Sequence, residues 1–288
     1  MDLAYLREHP EQLPTFLKHQ RIRTTPVAGG SICDAARLTL DDGSDVFAKS
    51  LPDPPPGFFA AEAAGLRWLH AACPDLVPEV IAASDDMLVL PWLEPGDPSP
   101  SAAEVLGASL ARLHQAGAES FGAAWPGYIG SLPLDNTPST GPWPSWFAER
   151  RLLPYLKMSV DNGALDTDDA NAVTSVIERI DRLAGPEEPP SRLHGDLWPG
   201  NVLWSTDRAW LVDPAAHGGH RETDLALLTL FGGPPFLARI ISGYEEQHPL
   251  ADGWSDRVPL HQLYLLLVHT ALFGRAYRSA VLSAAAHL

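Results

Sequence analysis

Residues 192–214, RLHGDLWPGNVLWSTDRAWLVDP, carry Asp196 behind His194-Gly195, Asn201 five positions later, and Asp213 at the end of an apolar run. Transfer of a phosphoryl group from a nucleotide needs one carboxylate to orient and deprotonate the attacking hydroxyl. It also needs hard oxygen ligands to hold Mg²⁺ on the phosphates. Asp196 reads as that base, with Asn201 and Asp213 as the magnesium ligands. Each residue alone has a plainer reading, as a turn residue or a strand-end cap. The joint spacing is what favours chemistry. His194 reads as a loop-supporting residue, and Asp224, on the helix that follows, as the acceptor that anchors the loop.

A nucleotide clamp is then expected upstream. Phe47-Ala48-Lys49 ends a β-prone run, and Lys49 is one of only three lysines among 20 basic residues. There it would meet the nucleotide phosphates, with Glu62 on the next helix as its ion-pair partner. Glu62 by itself is equally well a surface glutamate. Gly29-Gly30-Ser31 interrupts two β runs and would let backbone N–H groups approach phosphate. Leu90-Pro91-Trp92 falls where an adenine-contacting hinge belongs, although Trp92 reads equally well as a core residue. Cys33 follows the glycine turn, which places a thiol near the nucleotide. An exposed, oxidation-sensitive thiol and a small buried strand residue are both open for it, while Cys73 reads as structural.

The elements that must position these groups show in the pattern. Residues 36–50, ARLTLDDGSDVFAKS, are two β-prone runs around Asp42-Gly43, a hairpin signal. Residues 58–73 have helical spacing, and residues 87–93 read as a short buried strand. EPGDPSPS at 94–101 is a hinge or linker, and from there the pattern is mostly helical. Residues 122–144, rich in Gly, Pro and Trp, read as an ordered functional loop. The expectation is an α+β, protein-kinase-like two-lobe fold. Residues 1–93 would form a small β-rich ATP-clamping lobe, and 94–288 a larger helical lobe for catalysis and substrate.

Composition narrows the function. With 36 acidic against 20 basic residues the net charge is −16, which disfavours nucleic acid or an anionic membrane as partner. Two cysteines cannot build a disulfide framework. The N-terminus lacks signal-peptide order, and the apolar stretch at 263–273 is about half a membrane span and is interrupted by His269. A cytoplasmic protein, monomeric or weakly dimeric, is expected.

HGDLWPGN, the Asp213-Pro214-Ala215 triplet and GGHRETDLALLTLFGG resemble the fructosamine kinase (ketosamine-3-kinase) family, related to aminoglycoside phosphotransferases. LGASLARLH, FGAAWPGYIGSLPLDN, WFAERRLLPYL and HTALFGRAY extend the likeness over nearly the whole chain from Val27. The resemblance implies MgATP-dependent phosphorylation of the 3-hydroxyl of ketosamines, free or protein-attached, whose products shed the amine. It makes Asp196 the proton acceptor, Leu90 to Trp92 the hinge, Lys49 and Glu62 the phosphate-binding pair, and Asn201 and Asp213 the metal ligands. His269-Thr270-Ala271 departs from a His-Leu-Asn-like stretch, which leaves the substrate role of that helix open.

Only seven residues separate Asp213 from Arg221, too few for an activation segment or a peptide platform. A pocket for a sugar and its amine linkage is the expectation. Trp198, Trp143 and Trp146 are candidates to stack on the sugar, against a reading as core aromatics. His217 and His220 have metal-ligand spacing but no further ligands nearby to hold zinc. Arg221 and Glu222 would pair with each other or with the catalytic loop. The competing functions are a kinase of another hydroxylated amine, aminoglycoside- or choline-like, and a silent nucleotide-binding scaffold.

Overall fold

The computed structural model describes residues 2–28 and 32–288; Gly29, Gly30 and Ser31 lie outside the described residues. Two short helices lead, α1 (Leu3–Glu8) and α2 (Leu13–Lys18). A five-stranded sheet follows, built from β1 (Arg23–Pro26), β2 (Asp34–Thr39), β3 (Asp45–Ser50), β4 (Ala82–Ala83) and β5 (Met87–Pro91), with α3 (Phe58–Ala72) between β3 and β4. The strand order is β1-β2-β3-β5-β4, and every pairing is antiparallel. The Asp42-Gly43 turn forms the β2–β3 hairpin, because Gly43 takes φ 84° and Asp42 Oδ1 accepts the Ser44 N–H at 2.8 Å.

Strand alternation sorts the side chains of β3. Val46 and Ala48 face the outer layer, where Leu6, Leu13 and Phe16 of α1 and α2 cover them. Phe47 and Lys49 face the opposite side, toward a cavity. Helical spacing in the sequence marks residues 58–73 but not α1 or α2. Each is one to two turns long, too short for a periodic signal.

After β5 the chain runs without regular structure to α4 (Pro100–Gln115), capped by Ser99 Oγ on the Ala102 N–H. A small hairpin, β6 (Gly127–Ile129) and β7 (Leu132–Leu134), occupies the Gly/Pro/Trp-rich region. Then come α5 (Trp143–Phe147), a π-helical turn at Ala148–Leu152, α6 (Leu153–Asp161), α7 (Thr167–Ile177) and α8 (Ile180–Leu183). Short strands β8 (Ser191–Leu193), β9 (Val202–Trp204), β10 (Ala209–Leu211) and β11 (His217–Gly219) frame the catalytic motif. β9 pairs with β10, and β11 with β8. The chain ends in α9 (Glu222–Leu228), α10 (Leu237–Gln247), α11 (Trp254–Phe273) and α12 (Arg278–Ala286).

Helix α4 meets α10 backbone to backbone. A Cβ on Gly107 would lie 2.0 Å from the Ile240 carbonyl oxygen, and one on Gly243 would lie 2.6 Å from that of Glu104. Leu106, Leu110, Ile240 and Tyr244 fill the seam and join a core that runs through α3 to Leu197 and Leu211. The α4–α10 seam, Leu197 of the 194–201 loop and Leu211 before Asp213 therefore share one core cluster. No helix among the described residues is long and apolar enough to cross a membrane.

Candidate active site

A cavity of about 1020 Å³ lies between the sheet and the helices. Lys49, Glu62, Leu90, Pro91, Trp92, Cys33, Asp196, Trp198, Asn201 and Asp213 all line it. Residues up to 180 positions apart in sequence are thus gathered on one surface.

The catalytic loop is held from beneath. Fully buried Asp224, on α9, accepts the backbone N–H of His194 at 2.7 Å and of Gly195 at 2.9 Å. His114 Nε2 lies 3.2 Å from the same carboxylate, and its Nδ1 lies 2.9 Å from the Tyr244 hydroxyl. Burial alone would raise the Asp224 pKa; the bond and positive potential from His114, with the Gly195 N–H, outweigh burial and hold it below the usual range. His194 Nε2 donates to the Val212 carbonyl at 2.9 Å, and its Nδ1 accepts the Asp196 N–H at 3.3 Å. Burial keeps this imidazole neutral. Gly195 takes φ 80°, and a Cβ there would lie 2.2 Å from the Ala215 carbonyl oxygen. Only glycine fits between the loop and the Asp213-Pro214-Ala215 segment.

Asn201 ties the loop to the segment at Asp213, its Nδ2 reaching the Asp213 carbonyl at 3.4 Å. Its Nδ2 donates to the Asp196 carbonyl at 2.8 Å and to Asp196 Oδ2 at 3.2 Å, and its Oδ1 has no bond among the described residues. Burial, reinforced by the Asp213 charge, pushes the Asp196 carboxyl well above the usual carboxylate range. Lys49 Nζ bridges Glu62 at 2.9 and 3.0 Å and reaches Asp213 Oδ1 at 3.1 Å. Burial opposes its charge, but Glu62 and Asp213 more than reverse that, so Lys49 stays protonated. Asp213 sits at φ 55°, a left-handed conformation costing about 1–3 kcal/mol in a non-glycine residue.

The donor set fits a divalent cation. Among the described residues three carboxylates (Glu62, Asp196 and Asp213) and one ammonium line the cavity, which leaves surplus negative charge, and Asn201 Oδ1 adds a hard neutral ligand.

Some expected residues lie elsewhere. Trp143 and Trp146 are only 4% exposed and do not line the cavity. Trp143 stacks on Phe147 and His261, and Trp146 lies beneath Arg151, whose guanidinium carbon is 4.4 Å from the indole. They are core aromatics, and of the three tryptophans Trp198 alone borders the cavity. Arg221 and Glu222 pair neither with each other nor with the loop; Arg221 bonds Glu188 at 2.7 and 2.8 Å, and Glu222 bonds Arg257 at 2.6 and 2.8 Å. His217 Nδ1 donates to the Ala215 carbonyl, and its Nε2 faces Arg151 Nε at 3.4 Å, away from any role shared with His220. Trp92 is at the rim rather than in the core, its Nε1 on Glu94 and Arg37 over its ring. Cys33 is half-buried, and burial pushes its thiol up, which argues against an activated thiolate in this state.

Phe231, Phe273 and Tyr277 also line the cavity and were given no role from sequence; His269, whose helix was left open for substrate, and Trp125, in the loop read as functional, line it too. The left-handed backbone of Phe231 (φ 55°, ψ 27°) leaves no trace in residue type.

The family model described as fructosamine kinase matches residues 9–288. An Enterococcus faecium protein named "Probable ketoamine kinase" is 34% identical over 263 residues, 90% of this chain and 92% of its own length. A crystal structure of a "putative fructosamine-3-kinase" from Thermobifida fusca superposes with a TM-score of 0.89 at 46% identity, covering 99% of this chain and 97% of that one. A macrolide 2'-phosphotransferase from Brachybacterium faecium shares the fold alone, at TM-score 0.59 and 16% identity, over 94% and 96% of the two chains.

Proposed function

The chain belongs to the fructosamine kinase family and is a small-molecule kinase with a protein-kinase-like fold, and from this we propose that it transfers the γ-phosphoryl group of ATP to the 3-hydroxyl of a ketosamine. The observation that carries the reading is the single cavity in which Asp196, Asn201, Asp213 and the Lys49–Glu62 pair converge.

In this reading the substrate hydroxyl approaches Asp196, which accepts its proton as the oxygen attacks the γ-phosphorus and ADP departs. Lys49 meets the phosphates, with Glu62 fixing its position. Asn201 and Asp213 would hold magnesium, which neutralises charge on the phosphate oxygens when bound. Leu90 to Trp92 border the adenine. The Asp224 clamp fixes Asp196 from outside the cavity, so the base is positioned before any ligand arrives. The 3-phosphate product loses its amine, which makes the reaction a deglycation step.

The test is ATP consumption with ribulosyl-lysine, fructosyl-lysine and an aminoglycoside, with Asp196→Asn as control and phosphorus NMR to place the phosphate. Turnover of a ketosamine to its 3-phosphate is expected. Turnover of the aminoglycoside alone would overturn the reading.

A further inference from the structure

The cavity has a second wall that the phosphoryl-transfer groups leave unused. Its centre is His269, whose ring centroid lies 4.7 Å from Tyr277, 5.5 Å from Phe231 and 5.6 Å from Phe273. Trp198 joins this group to the catalytic loop, its ring edge-on to Phe231 at 6.1 Å. All five side chains line the cavity.

Three features mark a built binding surface. Phe231 and Phe273 are 54% and 45% exposed, so core packing does not account for their placement. Phe231 holds a left-handed backbone that a bulky side chain avoids, and such strain collects at functional positions. His269 Nδ1 lies 2.7 Å from the Leu265 carbonyl oxygen, so Nδ1 must be the donor. In the neutral ring Nε2 is then an acceptor with no hydrogen-bond partner among the described residues, and burial keeps the ring neutral. Among the described residues the cavity's carboxylates are Glu62, Asp196 and Asp213, none of them on this wall.

We propose that this wall is the subsite for the protonated amine of the substrate: His269 Nε2 accepts an ammonium N–H, and the faces of Phe231, Phe273 and Tyr277 surround the charge. The proposal rests on the ketosamine reading above. Aromatic faces attract alkylammonium groups without a counter-charge. Trp198 spans from the phosphoryl-transfer loop to this box, as a substrate with its amine a few bonds from the reacting hydroxyl requires. Recognition by ring faces also reads the nitrogen itself, so the wall selects secondary-amine ketosamines over neutral sugars whatever carries the amine.

The experiment compares kcat/KM for an N-alkyl ketosamine and for the ether in which oxygen replaces the ammonium nitrogen. The wild-type enzyme is expected to favour the ketosamine. In His269→Phe and Phe231→Leu the ketosamine-over-ether ratio should fall about tenfold, with Phe231→Tyr restoring it. ADP binding and thermal midpoint report folding, and exposed Phe231 carries the test if the His269 variant does not fold. An unchanged ratio in the folded variants, or wild-type enzyme indifferent between the two acceptors, overturns the amine subsite and leaves the kinase reading standing. Wild-type silence on both acceptors overturns the ketosamine reading itself.

Discussion

Lys49 and Asp213, 164 positions apart in the chain, are joined by a 3.1 Å contact in the wall of the cavity, and Lys49 holds Glu62 at the same time. One ammonium therefore faces two carboxylates contributed by different structural layers, the sheet-side helix and the loop after β10. A polyphosphate–magnesium complex entering the cavity would share both partners of this contact.

Lys49→Met should strand Glu62 as a buried, unpaired carboxylate. Removing one partner of a buried pair costs about 3–5 kcal/mol. The double variant Lys49→Met/Glu62→Gln should recover most of that stability while activity stays lost. Urea denaturation of both variants checks it, and additive losses in the pair would refute the coupling.

Asp196→Asn should separate catalysis from stability. Loss of the base is expected to lower kcat by about 10²–10⁴-fold while ADP still binds. The raised pKa of Asp196 means that folding disfavours its ionised form at neutral pH, so the amide removes a penalty. The melting temperature should rise by about 2 °C or more. A lower melting temperature would show that the carboxylate stabilises the loop.

Asp224→Asn should act on the catalytic loop without touching substrate. Three bonds converge on this buried carboxylate, and the amide can accept only some of them. A stability loss of about 1–3 kcal/mol is expected at neutral pH, with kcat falling more than KM changes. Because the folded-state pKa of Asp224 is depressed, its contribution is present above the unfolded value of about 3.9 and is lost as pH falls through the folded one. The stability gap between wild type and variant should therefore narrow below about pH 4. A gap constant with pH would count against a charged Asp224.

Gly107→Ala places a methyl where the α4–α10 seam has none to spare. Its Cβ would meet the Ile240 carbonyl at 2.0 Å. The two helices must separate, which costs about 1–3 kcal/mol or more. Thermal denaturation should show it, and a neutral substitution would mean the seam yields.

The gathering of the residues proposed for phosphoryl transfer was legible in sequence because their spacing is local. Asp196 and Asn201 share one loop, and Asp213 ends the next strand, so residue type and interval suffice. Lys49 stood out through the rarity of lysine. Of the opposite wall only the His269 helix was raised, with its role left open; Phe231 and Tyr277 join it from other elements whose crossing depends on packing. The burial of Trp143 and Trp146 was hidden for the same reason. Helical spacing identifies a face but not what covers it, and Arg151 and His261 do the covering. In the fold, the β2–β3 hairpin and α3 followed from turn chemistry and periodicity, whereas α1 and α2 were too short to register.

The rarity of lysine has a chemical side as well. Reducing sugars attack neutral amines, and of the three lysines only Lys18 and Lys157 stand exposed. Lys49 is held by two carboxylates that keep it protonated, so almost none of it is nucleophilic. The other basic residues are arginines, whose guanidinium groups keep their proton. A protein of this composition can work in sugar-rich surroundings while offering few side-chain amines to glycation, and the cavity amine, Lys49, is the one least open to attack.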